Sequence, residues 1–163
     1  MNYPWMLEAK KHIGIDENKH APVITQWVKD LKLPWFTAIF KPNTVAWCAV
    51  YVARCFQVSN ISIPKNWMRA KDWSTWGVKI AKPMDGCVVV FEREGGGHVG
   101  FVVGETVDGF LSVLGGNQKN KVSIAKFNKD RVVGYYWPKE VPVPSVYILS
   151  KVYGGGEVST NEA

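Results

Sequence analysis

From Cys87 to Trp137 the chain is a succession of short apolar runs broken by glycine, and no other stretch restricts the fold as much. Cys87-Val88-Val89-Val90-Phe91 is short and continuously apolar, the pattern of a buried strand. The turn Gly95-Gly96-Gly97 follows, then His98-Val99-Gly100-Phe101-Val102-Val103-Gly104 as the next strand. Asp108-Gly109 is a hairpin signal. It leads into a strand over residues 110–114, which ends at Gly115-Gly116-Asn117-Gln118. Residues 122–127 alternate as a further strand, and residues 132–137 close the series. The expected result is an antiparallel meander.

The residues ahead of this stretch read as helices. Pro4 suits the first position of a short helix running to His12, with Gly14 as its stop. Pro22 opens a second helix in which Ile24, Trp27, Val28 and Leu31 recur at helical spacing. Residues 32–42, bounded by Pro34 and Pro42, read as a loop. Residues 46–57 contain no Gly or Pro and form the next helix, with Asn43 or Thr44 as its N-cap. Pro64 opens a fourth helix with Trp67, Ala70 and Trp73 on one face, closed at Gly77. Helices first and strands second predict an α+β domain, N-terminal helices packed on an antiparallel β-sheet. That domain is expected over residues 1–138. Residues 139–163 are expected as a partly flexible C-terminal extension, with a strand or short helix over 146–153 and a frayed end from Gly154.

A chain of 163 residues can bury a substantial core, and its eight Trp imply either a Trp-heavy core or a groove lined with flat surfaces. The net charge of +6 suits an acidic polymer as partner: nucleic acid, a membrane surface or an anionic cell wall. The densest basic group, Lys119, Lys121, Lys126, Lys129 and Arg131, has no nucleic-acid motif beside it, so no nucleic-acid partner is expected. The longest apolar run, residues 45–53, is far short of a membrane span, and no stable membrane association is expected. Near Met1 no apolar run resembles a signal peptide, so the chain is expected to be made in the cytoplasm.

The three cysteines do not form a disulfide framework. Along a helix Cys48 and Cys55 would stand about 10.5 Å apart, beyond the reach of about 7 Å between bridged Cα atoms. Their spacing to histidine is not that of a zinc site, and neither a metal nor another cofactor is expected. Cys48 instead falls in the first turn of an apolar helix, where free N–H groups and the helix dipole favour thiolate. A buried structural cysteine is the alternative.

His98 opens a strand behind three glycines, which leave the backbone bare and accessible from a cleft. Asn117 stands at the end of the next strand, behind a Gly pair, where it could equally be a turn former. A cysteine at a helix start, a histidine at a strand start and an amide at the end of the adjacent strand can converge at one sheet edge. The imidazole would then take the thiol proton while the amide holds its tautomer, the Cys-His-Asn logic of papain-like hydrolases.

These residues carry a resemblance. Pro4-Trp5-Met6, His20-Ala21-Pro22, Trp47-Cys48, Gly95-Gly96-Gly97-His98-Val99-Gly100-Phe101, Leu114-Gly115-Gly116-Asn117-Gln118 and Gly134-Tyr135-Tyr136-Trp137-Pro138 resemble the NlpC/P60 and CHAP superfamily of cell-wall hydrolases, in particular its short phage and bacterial CHAP-like proteins. Two departures stand out: Ala46 where the family often has Pro, and Gly86-Cys87 where it often has Gly-Asp. The resemblance implies a papain-like fold, with Cys48 as nucleophile, His98 as base and Asn117 as the orienting third member. It implies a peptidoglycan hydrolase cutting an amide of the wall peptide, as an N-acetylmuramoyl-L-alanine amidase or a peptide endopeptidase, through a thioester acyl-enzyme. Trp47 is expected to be exposed and to pack against substrate.

The expected partner is bacterial peptidoglycan, reached through holin-type membrane lesions or a secretion machine. Those two routes fit a phage endolysin or an injected toxin, and an immunity protein or a phage partner fits the same picture. The alternative is a catalytically inactive wall-binding or phage structural module of the same fold. Thiol acyl transfer is a third reading, since an amine can capture a thioester.

Overall fold

The structure, a computed structural model, describes residues 2–153, 158–160 and 162. Its centre is helix α4 (Cys48–Gln57), in which eight of ten residues are buried, including Tyr51 and Phe56. A helix apolar on every side has to be enclosed. Two neighbouring helices and the sheet enclose this one. Helix α1 (Pro4–Lys11) buries Trp5, Met6 and Ala9, and the carbonyl of Ala9 accepts a 2.7 Å hydrogen bond from Tyr51 Oη. Helix α2 (Ala21–Asp30) buries Ile24, Trp27 and Val28, as its spacing predicts.

The segment expected as a loop before Cys48 contains helix α3 (Pro34–Ile39). Pro34 occupies its first turn, where a missing N–H costs nothing, and Phe36 packs on Phe40 and Trp67. The helix expected after Pro64 is not α-helical. A 3₁₀ segment, Ala70–Thr75, takes its place, and it still buries Trp73, whose indole donates to the Trp67 carbonyl at 3.0 Å. Of the eight Trp, all but Trp35 are buried, so the core reading holds over a Trp-lined groove.

Strands β1 (Val78–Ile80), β2 (Val88–Arg93), β3 (Gly96–Thr106), β4 (Leu111–Gln118), β5 (Lys121–Phe127) and β6 (Val132–Trp137) lie in the order β1-β6-β2-β3-β4-β5, all neighbours antiparallel. The meander therefore holds from β2 to β5, and β6 then returns to the far edge of β2. The expectation had no counterpart of β1, a three-residue strand too short to show alternation. The short strand β7 (Lys151–Val152) pairs in parallel with the end of β3.

One glycine sets the distance between β4 and α4, and its neighbour makes room for a side chain of β4 itself. A Cβ on Gly116 would meet the Trp47 ring at 2.8 Å and Tyr51 Cβ at 2.9 Å, so only a bare backbone lets the strand lie this close to the helix. A Cβ on Gly115 would overlap the Gln118 side-chain amide. Strand β4 runs on through both glycines, with a break in its pairing to β5 between Gly115 and Gln118, rather than ending before them.

Candidate active site

Cys48 is the first residue of α4, with Trp47 rather than Asn43 or Thr44 as N-cap and with no side-chain cap. The residue is 4% exposed. Burial pushes the thiol above its ordinary value, and the Glu162 charge adds to this. Backbone N–H groups of Val99 and Ala49, and the Arg93 guanidinium, pull the other way. The sulfur thus meets both the first turn of its own helix and strand β3, at the residue directly after His98.

His98 lies inside β3, opposite Phe91 of β2, and is fully buried. Its ring stacks on Phe127 at 5.4 Å between centroids and an interplanar angle of 10°. Its Nε2 lies 3.0 Å from Gln118 Oε1. Among the described residues, His98 Nδ1 is the one buried side-chain nitrogen or oxygen with no hydrogen-bond partner. Burial pushes the imidazole down to about 4; the Glu162 charge and the Gln118 hydrogen bond oppose this, while Arg93 and Arg131 reinforce it. Both shifts favour the uncharged forms, a thiol at Cys48 and a neutral imidazole at His98.

The tautomer follows from Gln118. Its Nε2 donates to the carbonyls of Val113 at 3.2 Å and Ser123 at 2.7 Å, which fixes the amide with its oxygen toward His98. An amide oxygen only accepts, so His98 Nε2 carries the proton and Nδ1 presents a lone pair. Nothing in the sequence separated Gln118 from its neighbour. The irregularity in β4 between Gly115 and Gln118 decides which amide turns toward the imidazole.

Asn117 takes a different place from the one expected. It is buried, in the left-handed region at φ 59°, and its Nδ2 donates to the backbone carbonyl of Glu162 at 3.0 Å. Trp47 also departs from expectation. It is fully buried, its indole N–H donates to Glu17 Oε1 at 3.1 Å, and it offers no face to a substrate. The requirement that β4 lie flat on α4 puts the ring in the core.

Beside the site lies a cleft of about 330 Å³, lined by residues that include Glu17, Ala46, Arg93, Asn117 and Asn120. The half-buried Arg93 donates from Nε to the Gly97 carbonyl at 3.1 Å. The remaining histidines are used locally: His12 pairs with Glu8 at 2.7 Å, and His20 Nδ1 accepts the Asp16 N–H at 3.0 Å. All three cysteines are free thiols. Among the described residues no group of three or more His, Cys, Asp or Glu is disposed to hold a metal, and no helix is long and apolar enough to cross a membrane.

Residues 139–163, expected as a partly flexible extension, make specific contacts where they are described. The Ser150 side chain and N–H bond Asp85, and the Asp85 N–H donates to the Ile148 carbonyl. Val158 bridges Lys126, and the Ser159 N–H donates to the Lys126 carbonyl at 2.8 Å. Glu162 is buried against Arg131. Residues 154–157, 161 and 163 lie outside the described residues.

An α+β scaffold with a cysteine at the start of its central helix and a histidine on the neighbouring sheet defines a papain-like architecture of the NlpC/P60–CHAP type. Residues 40–117 match the family model of the CHAP domain. The matched span contains Cys48 and His98 and stops one residue before Gln118. No curated protein and no solved structure matches the chain. A CHAP domain points to hydrolysis of peptidoglycan, by an amidase or peptidase activity.

Proposed function

We propose that the protein cleaves an amide bond of the wall peptide, with Cys48 as nucleophile, His98 as base and Gln118 as the residue that positions the imidazole. The observation that carries this is the lone pair on His98 Nδ1, left free in a buried site by an amide that cannot turn. The thiol proton passes to Nδ1 as sulfur attacks the carbonyl carbon. The N–H groups at the start of α4, that of Cys48 among them, stabilise the oxyanion. Collapse breaks the C–N bond, the leaving amine takes the proton from His98, and a thioester remains. Water, deprotonated by the same imidazole, releases the acid and restores the thiol. Asn117, expected as the third member, is assigned to binding, because its amide meets a peptide carbonyl and not the imidazole.

The substrate lies outside the cytoplasm, and release through holin-type lesions or a secretion machine would bring the enzyme to it. A net charge of +6 favours its approach to an anionic wall. One observation favours the second reading, an inactive wall-binding or phage structural module: Cys48 is buried, which pushes its thiol above the ordinary value.

The deciding measurement is turbidity clearing of purified peptidoglycan by the wild type and by Cys48→Ala, with mass spectrometry of the soluble fragments. Clearing by the wild type alone is expected, and fragment masses distinguish amidase from endopeptidase. Wall binding by both proteins without clearing would establish the binding module.

A further inference from the structure

Glu162 is held next to the site by Arg131, Ser159 and Asn117. Its carboxylate is completely buried and held by both Arg131 Nη atoms, at 2.7 and 3.2 Å, with Ser159 Oγ donating at 2.7 Å. Its backbone carbonyl accepts from Asn117 at 3.0 Å. Burying a carboxylate is unfavourable without such a partner, so the fork-to-carboxylate geometry is what the segment is built around. Its charge acts on both His98 and Cys48.

Arg131 is held independently of Glu162. Its Nε donates to the Glu92 carbonyl at 3.1 Å, and its guanidinium lies over the rings of Phe91 and Phe127, at 5.8 and 5.6 Å. Phe127 is the ring that stacks on His98. If Glu162 withdraws, the Arg131 fork stays in place beside the imidazole, and the Asn117 amide is free to meet another peptide carbonyl.

We propose that Arg131 and Asn117 form a subsite for an acidic residue of the substrate peptide, and that Glu162 fills it as an internal pseudosubstrate which closes the resting site. Arg131 takes the carboxylate and Asn117 the main-chain carbonyl. That the acidic residue belongs to a wall stem peptide rests on the function proposed above; the closure of the thiol does not.

The test uses the full chain and reads thiol alkylation, which needs no hydrolysis. Iodoacetamide labelling of Cys48 is followed by peptide mass spectrometry in the wild type, Glu162→Ala and the isosteric Glu162→Gln, with folding checked by circular dichroism. Both variants should label Cys48 at least about tenfold faster, because the closed population no longer withholds the thiol. A synthetic stem tripeptide with a free glutamate carboxylate should slow labelling of Glu162→Ala, and the same peptide amidated at that carboxylate should not. Adding Arg131→Met should abolish the protection. Labelling of both variants at the wild-type rate would overturn the closure. Equal protection by the two peptides, or by neither, would overturn the carboxylate subsite. Failure to clear walls in the separate hydrolysis assay would touch only the function proposed above.

Discussion

His98 Nε2 and Gln118 Oε1 stand 3.0 Å apart, and the amide that supplies this oxygen is itself anchored by two backbone carbonyls. On the mechanism proposed above, Gln118 acts through His98. Gln118→Leu should lower kcat roughly 10- to 100-fold, the usual cost of losing a partner that orients a working histidine. It should also change the pH–rate profile, because the imidazole tautomer is no longer fixed. Asn117→Ala should raise KM and leave the profile unchanged. If Asn117→Ala moves the profile and Gln118→Leu does not, the two assignments are reversed.

The buried imidazole makes stability depend on acid. Folded His98 is pushed down to about 4, whereas the unfolded group titrates near its ordinary 6.5. Between these values the unfolded chain binds the proton and the folded chain does not, so stability falls as pH drops from about 6.5 toward 4. Glu162, whose carboxyl is lowered from 4.5 by Arg131 and Ser159 against the burial that raises it, adds its loss below that range. Urea midpoints at pH 7 and pH 5 should separate further in the wild type than in His98→Gln. Equal separations would show that His98 is not the group responsible.

A protonated thiol sets the pH dependence of alkylation. Burial raises Cys48 above its ordinary value, so labelling of the wild type should keep rising through pH 9. A preformed thiolate–imidazolium pair would instead give a plateau from mildly acidic pH upward. Such a plateau would refute the neutral resting pair.

The adjacent glycines of β4 should separate folding from chemistry. Gly116→Ala drives a methyl into Trp47 and Tyr51 and should cost about 1–3 kcal/mol, as overpacking does. Thermal melts would show it. Gly115→Ala instead pushes on the amide of Gln118, whose oxygen is the atom its methyl would overlap, and so on the hydrogen bond to His98. It should keep most of the stability and lose turnover. A larger melting loss in Gly115→Ala than in Gly116→Ala would contradict this division.

What could be read from the sequence follows from the range of the forces involved. Helix α2 was legible because Ile24, Trp27 and Val28 stand at i, i+3 and i+4 on one face, and β2 because its apolar run is unbroken. Helix α3 has six residues between two prolines, too few for a period to emerge. Past Pro64 the tryptophan spacing was right about burial and silent on whether the backbone winds by three residues or by 3.6. Cys48 and His98 were legible as a pair of reactive residue types with glycine at the strand. The choice between Asn117 and Gln118 was not, since it depends on how two strands fall out of step across Gly115. The burial of Trp47 depends on a glycine in a strand that lies nearly seventy positions away, and local pattern carries no record of it.

Strand β3 has β2 along one edge and β4 along the other, and α4 is walled in by α1, α2 and the sheet. Cys48 and His98 therefore both sit on elements enclosed by their neighbours. The cleft, by contrast, is bordered by residues 42–46, and its Asn117 holds the Glu162 carbonyl. On the function proposed above, changes along that margin would alter which wall peptide is admitted while leaving Cys48 and His98 in place.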